Sequence, residues 1–370
     1  MQTILITGGA GFIGSHLADD LLTKGYDVRI LDNLTPQVHG SVKRPAYLSR
    51  EVDLRVGDIR DPATVRSALK DVDGVFHFAA SVGVGQSMYR IKDYTATNNL
   101  GTAVLMQELA DDPVEALVVA SSMSVYGEGL YATSTGSIYQ TGGRSFEQLK
   151  ARRWDLETEH GEPLTPIPTP ETKTPQLESI YALSKFDQER MCLLVGRAYG
   201  IRTVALRFFN VYGTRQALSN PYTGVLAIFA SRLLNGQPPV IFEDGEQRRD
   251  FVSVHDVVQA CHKALTVPGA DGGVFNIGSG QSVSVLDVAR IVGDALGVSD
   301  VEPEVTEKGR IGDIRHCFAD ISLANKVLGY RPKVRMQEGV VEVAEWVAGE
   351  AAVDSVRQAG AELAARGLTI

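Results

Sequence analysis

Short, dense apolar runs punctuate the first third of the chain. Thr3–Thr7, Val28–Asp32, Leu54–Gly57, Gly74–Ala79 and Leu117–Ser121 are four to six residues long and rich in Val, Ile, Leu and Phe. Runs of this kind fit parallel strands buried on both faces. Between them lie Ile13–Lys24, Pro62–Leu69 and Tyr94–Ala110, where apolar residues recur every three and four positions, the period of a helix with one buried stripe. Lys24-Gly25 supplies a basic last turn and a stop glycine. Strand and helix in alternation predict an α/β fold, a doubly wound parallel sheet with right-handed crossovers.

Past Ser121 the rhythm breaks. Residues 128–178 carry clusters of Gly, Ser, Thr and Pro, including the stretch Pro163–Pro175, and read as an excursion loop. A helix over Ile180–Tyr199 and a strand over Thr203–Phe208 then resume the sheet. From 212 onward the predicted elements are shorter: Val225–Leu234, His255–Leu265 and Val285–Leu296. The expected organisation is a domain over 1–211 containing the excursion, a smaller C-terminal α/β lobe made mainly of 212–346, and a helical tail over 347–370. The tail's Ala, Glu and Val, spaced as on a helix, suit a surface helix.

Composition narrows the classes. Across 370 residues, 36 Lys and Arg face 45 Asp and Glu, a formal net charge of −9, which argues against a nucleic-acid surface. With 44% hydrophobic and 22% charged residues the chain can bury a core, so disorder is excluded. No run of roughly 18 apolar residues predicts a membrane span. Met1–Ala10 lacks the basic region and apolar stretch of a signal peptide. Cys192, Cys261 and Cys317 are odd in number and far apart, so they are expected as free thiols in the cytoplasm, with no metal site.

Directly after the first predicted strand stands Gly8-Gly9-Ala10-Gly11-Phe12-Ile13-Gly14. Glycines here permit a tight turn and bring backbone N–H groups close to a pyrophosphate at a helix N-terminus. Asp32 closes the second strand 24 residues after Gly8, where a ribose hydroxyl needs an acceptor. That combination predicts a Rossmann-type dinucleotide site. Asn33 follows, and no arginine comes before Arg44, which favours NAD over NADP. Asp58-Ile59, after the third strand, is placed to meet the adenine, or is a plain loop pair.

A second constellation is Tyr181-Ala-Leu-Ser-Lys185, with Ser121-Ser122 ending an earlier strand. Positions i and i+4 share a helix face, so Lys185 is expected beside Tyr181. A tyrosine with its usual pKa of about 10 is a poor base at neutral pH. A neighbouring ammonium and a cationic nicotinamide would both lower it, and Ser122 would hydrogen-bond the reacting hydroxyl. His77, on a buried strand, is expected as a core histidine, and Tyr126 as packing.

These residues resemble the extended short-chain dehydrogenase/reductase family, specifically its nucleotide-sugar epimerases and dehydratases. The motifs that carry the resemblance run in order from Thr7–Gly14 through His77-Phe78-Ala79-Ala80, Asn98-x-x-Gly101-Thr102, Ser121–Gly127, Tyr181–Lys185 and Arg207-Phe208-Phe209-Asn210. Arg249-Asp250-Phe251 and Arg310-Ile311-Gly312-Asp313 complete the series. The resemblance implies a retained NAD held by Gly8, Gly11, Phe12, Ile13, Gly14, Asp32, Asn33, Asp58, Ile59, Ala79, Ala80, Asn98, Tyr181, Lys185 and Phe208. It implies a nucleoside-diphosphate sugar between the lobes, with Ser122 at the sugar. Asn210, Arg249 and Arg310 would sit near the diphosphate, and Asp313 near the nucleoside or its phosphates. Family members pair as homodimers through two helices, here Tyr94–Ala110 and Ile180–Tyr199.

The shared first step is oxidation at the sugar C4, with Tyr181 taking the hydroxyl proton. A 4,6-dehydratase then needs an Asp-Glu pair after the strand-end hydroxyl residue, where this chain has Met123 and Ser124. The string Ser-Ser-Met-Ser-Val-Tyr-Gly is most similar to C4 epimerases, with a nucleotide-sugar 4,6-dehydratase or 4-ketoreductase as the alternative. The segment Tyr212–Phe229 with Phe242–Gly245 resembles a bacterial subgroup that interconverts dTDP-L-rhamnose and dTDP-6-deoxy-L-talose. UDP-hexose and UDP-uronate are the other substrate classes. The long excursion between Ser122 and Tyr181 is expected either to cover the sugar site or to decorate the surface.

Overall fold

The computed structural model describes residues 2–40, 43–217, 224–309 and 313–349, together with 362 and 364–367. Seven strands form the central sheet: β1 (Thr3–Thr7), β2 (Asp27–Asp32), β3 (Asp53–Val56), β4 (Gly74–His77), β5 (Ala116–Ser122), β6 (Arg202–Phe208) and β7 (Val274–Ile277). Their spatial order is β7-β6-β5-β4-β1-β2-β3, and every pairing is parallel. The chain runs outward from β1 to β3, then crosses back to place β4 on the other side of β1. The strand order therefore reverses between β1 and β4, and a sheet of this kind takes its ligand at the carboxyl ends of the strands at such a point.

Side chains alternate across β1, so Ile4 and Ile6 enter one core and Leu5 the other. On the first face pack α1 (Phe12–Thr23) and α5 (Val254–Thr266), with Leu17, Leu21, Val257 and Cys261 in the core. On the second pack α2 (Pro62–Leu69), α3 (Gly101–Asp111) and α4 (Ile180–Tyr199), through Val65, Leu105, Leu109 and Cys192. All three cysteines are buried free thiols. Among the described residues no helix is long and apolar enough to cross a membrane.

Residues 212–346 divide between two bodies. The helices Val225–Leu234, Val285–Leu296 and Met336–Gly349 build a separate core around Phe229, Phe251, Val288, Val292 and Val343. The intervening stretch that holds α5 and β7 returns to the central sheet. Apolar patterning could not reveal this, because a strand buried in one lobe reads like a strand buried in the other. The helix Met336–Gly349 enters the expected tail over 347–370 only by its last three residues; residues 350–361 lie outside the described residues, and residues 362, 364 and 365 are helical.

Two expectations need correction. The Tyr94–Ala110 helix begins at Ile91 and passes through a π-helical turn, Thr95–Leu100, before α3. The wider turn holds Asn98, whose amide pairs with both backbone groups of Ser81: Ser81 N donates to Oδ1 (2.7 Å) and Nδ2 donates to Ser81 O (3.0 Å). The second correction concerns 128–178, which is a folded unit and not an open loop. Leu130–Ala132 pairs antiparallel with Ile138–Tyr139 and Thr165–Ile167, and a helix spans Phe146–Lys150. Tyr131, Leu156 and Leu164 form its own small core. Its strands are two and three residues long, too short for a period-two pattern to register.

Candidate active site

The turn after β1 is shaped by what glycine lacks. Gly8 has φ +69°, and a Cβ there would stand 2.8 Å from the backbone of Ala79; one on Gly14 would stand 2.5 Å from the Gly9 Cα. The loop is therefore packed against the end of β4 on one side and against itself on the other. Phe12, Ile13 and Gly14 open α1, and the N–H groups of a helix's first turn have no intrahelical acceptor.

Asp32 ends β2 with 8% exposure. It accepts hydrogen bonds from Ala10 N (3.1 Å) and Leu34 N (2.9 Å), which fixes the carboxylate against the glycine loop. Two neighbours were not found from the sequence: His39, with Nε2 3.6 Å from Asp32 Oδ1, and Tyr47, whose hydroxyl donates to Ala10 O at 2.8 Å. Burial, with Asp32 nearby, pushes the Tyr47 phenol up to about 12. Asn33 caps its own turn through Thr35 N (3.2 Å). Asp58 is engaged in a fork with Arg60, at 2.9 and 2.6 Å, and this holds its carboxyl below the usual range. Ile59 is buried under Gly101 in the second core. Ala79 and Ala80 line the end of β4, half-buried. Phe208 is buried edge-on to Phe78, with ring centres 6.0 Å apart.

Tyr181 and Lys185 sit in the first two turns of α4, which Ser179 caps by accepting from Ala182 N (3.1 Å). Beside them β5 ends at Ser122. The Ser122 oxygen accepts from Ser124 N (3.2 Å) and Ser124 Oγ (2.8 Å), which leaves its own proton available to a neighbouring acceptor. Burial raises the Tyr181 phenol, and the nearby Ser122 hydroxyl opposes that rise. The expected lowering is thus not a property of the chain alone, since desolvation outweighs the hydroxyl donor. Lys185 is 3% exposed, and burial brings its ammonium down to about 8.

A polar chain beneath the site was largely missed in the sequence. Lys185 Nζ donates to Gln188 Oε1 (2.8 Å), Gln188 Nε2 donates to Thr102 Oγ1 (2.8 Å) and faces His77 Nε2 (3.2 Å), and His77 Nδ1 meets Thr7 Oγ1 (2.8 Å). His77 is accordingly the hydrogen-bonded core histidine expected, with burial driving it down to about 3. Glu189 grips Arg207 by two bonds (2.9 and 2.7 Å) and takes a third from Ser121 Oγ (2.7 Å), locking α4 to the ends of β5 and β6. Only the i+3 and i+4 spacing from Lys185 hinted at these two residues.

Just past β6, Asn210 carries a buried amide oxygen with no hydrogen-bond partner among the described residues. Arg249 donates to the carbonyls of Arg248, Arg315 and Ile314. Its neighbour Asp250 is fully buried and accepts from Ser279 and Gly280, an anchor for that turn. Asp313 is half-buried next to the same segment. Arg310 lies outside the described residues.

The NAD dependent epimerase/dehydratase family matches residues 4–152 and 156–278. The chain belongs to this family. It is 36% identical over 359 residues to a dTDP-L-rhamnose 4-epimerase of Burkholderia thailandensis, covering 94% of this chain and 96% of that one. Among solved structures it resembles UDP-glucose 4-epimerase of Thermotoga maritima with UDP-glucose, at 31% identity and TM-score 0.76 over 94% and 99% of the two chains. It also resembles the Thermus thermophilus UDP-glucose 4-epimerase in complex with NAD, at 31% identity and TM-score 0.75 over 95% and 100%. Membership makes the chain an NAD-dependent enzyme. The glycine turn and the fixed Asp32 fit that cofactor, since a 2′-phosphate would meet a buried carboxylate.

Proposed function

We propose that the chain is a nucleotide-sugar 4-epimerase in which Tyr181 is the acid–base group, Ser122 its hydrogen-bond partner and Lys185 the charge that supports it. What supports this reading is the placement of Tyr181 and Lys185 one turn apart at the start of α4, with Ser122 at the carboxyl end of β5 and the Gly8 turn packed on the end of β4. Gly8, Gly11, Phe12, Ile13, Gly14, Asp32, Ala79, Ala80 and Asn98 would hold the cofactor. NAD bound there supplies reversible two-electron oxidation at the sugar C4.

Tyr181 takes the C4 hydroxyl proton as the carbonyl forms and gives it back when the alcohol is restored. Ser122, oriented by the two donors of Ser124, steadies the oxygen on which charge changes. Lys185 holds positive charge beneath the phenol. Met123 is buried among Val125, Tyr126 and Phe209, so neither it nor Ser124 supplies the acid and base of a dehydratase. Inversion follows when the 4-keto sugar presents its other face, while Asn210 and Arg249 keep the diphosphate in place. The Arg249 guanidinium is the donor such an anion needs, and the Asn210 side-chain N–H would add to it; the unpartnered Asn210 Oδ1 can only accept, from a hydroxyl of the ligand.

For the substrate we infer dTDP-L-rhamnose and dTDP-6-deoxy-L-talose, on the strength of the 36% identical relative. A UDP-hexose is the second reading, favoured by the likeness to the UDP-glucose complex. Incubation of the purified enzyme with dTDP-L-rhamnose, followed by NMR of the anomeric protons, decides between them. A second sugar that settles at a fixed ratio, with no net NADH, supports the first. An unchanged spectrum with NAD bound, and turnover of UDP-glucose instead, supports the second. Tyr181→Phe should retain bound NAD and lose at least about a thousandfold in kcat; full activity would overturn the mechanism.

A further inference from the structure

The folded unit at 128–178 reaches into the chain that follows Asp313. Four successive carbonyls there each accept a hydrogen bond: Asp313 O from Arg144 Nη2 (3.0 Å), Ile314 O from Arg249 Nη2 (2.6 Å), Arg315 O from Arg249 Nη1 (2.9 Å) and His316 O from Gly129 N (2.7 Å). The N–H groups of Arg315 and His316 both donate to the Glu128 carboxylate, at 2.5 and 3.2 Å. So the 313–316 backbone is held on one side by Arg249 and on the other by residues of the inserted unit.

The side chains repeat the pattern. Arg144, 2% exposed, pairs with Glu243 at 2.8 Å. Arg315 is fully buried and bonds Glu243 (3.0 Å), Asp244 (2.6 Å) and, from the inserted unit, Asp155 (2.8 Å). Glu243 therefore receives one guanidinium from the insertion and one from the 313–316 segment. A surface ornament has no need to bury the Arg144 guanidinium and bring Asp155 to a second buried arginine, because desolvating each charge is costly unless its partners are fixed.

We infer that Arg144 and Glu128 are positioning residues of the nucleotide-sugar site, holding the 313–316 segment and, through it, the Arg249 guanidinium where a nucleoside diphosphate needs it. This rests on the assignment of Arg249 to the diphosphate. Arg249 spends donors on the carbonyls of Ile314 and Arg315, so its head goes where that backbone goes. A guanidinium has five N–H donors, and three carbonyl contacts leave capacity for a phosphate. Fixing the cation before the ligand arrives removes an ordering cost from binding.

The test is calorimetric titration of the NAD-loaded enzyme with dTDP and with UDP, paired with steady-state kinetics. In Arg144→Ala, the Kd of the tighter nucleotide and the KM of its sugar should both rise about tenfold, with kcat at saturation within threefold and bound NAD unchanged. Glu128→Gln keeps the size of the side chain and one acceptor, and should raise Kd about threefold; it carries the test if Arg144→Ala fails to fold. Arg249→Ala should weaken nucleotide binding at least as much as either. If Arg249→Ala weakens binding while both insertion variants keep the wild-type Kd, the inference is overturned and the diphosphate reading stands. An unchanged Kd in Arg249→Ala overturns both.

Discussion

Lys185 gives a hydrogen bond from its ammonium to Gln188 Oε1, 2.8 Å away and one turn further along the same helix. Gln188 is fixed in turn by Thr102 and His77, so the acceptor cannot swing away. With burial bringing Lys185 down to about 8, the charge that supports Tyr181 is lost as pH rises through that value. Gln188→Leu removes the acceptor and should move the alkaline limb of the kcat–pH profile to lower pH, with kcat near pH 8 reduced about tenfold. Gln188→Glu should move it the other way. Identical profiles in all three proteins would show that Gln188 does not act on Lys185.

Asp32 sets the cofactor in this reading. Replacing it by Ser removes a buried carboxylate and leaves a hydroxyl near Ala10 N, so repulsion of a 2′-phosphate should vanish. Cofactor extracted from purified Asp32→Ser should contain less NAD per chain, and added NADP should bind more tightly than to wild type. Unchanged discrimination would place the ribose elsewhere.

His77 makes stability depend on acid. Its folded-state value of about 3 lies below the ordinary 6.5, because the buried ring cannot take a proton cheaply. The unfolded chain therefore binds the extra proton between these values. Stability is complete above pH 6.5 and falls as pH drops toward 3, by up to a few kcal/mol at about 1.36 kcal/mol per unit. Urea unfolding at pH 7.0, 5.5 and 4.5 should show a shallower fall in His77→Gln than in wild type.

Leu183 and Leu194 are about half exposed on α4, at 48% and 49%, and Leu100, on the neighbouring π-helical turn, is 52% exposed. Apolar residues so placed on adjacent helices fit the expected homodimer, which would cover them. Leu183→Glu combined with Leu194→Glu should halve the mass seen by light scattering. A wild-type protein that is already monomeric would end the proposal.

Much of this molecule was legible in its sequence. The dense runs at Thr3–Thr7 and Leu117–Ser121, the period of Ile180–Tyr199, the glycine turn and the Tyr181–Lys185 spacing are local signals, since burial on both faces and helical repeat are written within a few residues. They gave the parallel sheet, the NAD-dependent family and the catalytic candidates. What they could not give is what lies across the fold. Tyr181 is raised by burial because of surroundings that no motif encodes. Val274–Ile277 joins the central sheet through register with Ala205–Phe208, some seventy positions earlier in the chain. The inserted unit reaches the smaller lobe through Glu128, Arg144 and Asp155, which meet Glu243, Asp244 and Arg315 only once the chain has closed on itself. Sequence determined the elements and their chemistry; tertiary structure decided which charges share a buried space, because desolvation and pairing depend on distance in space and not along the chain.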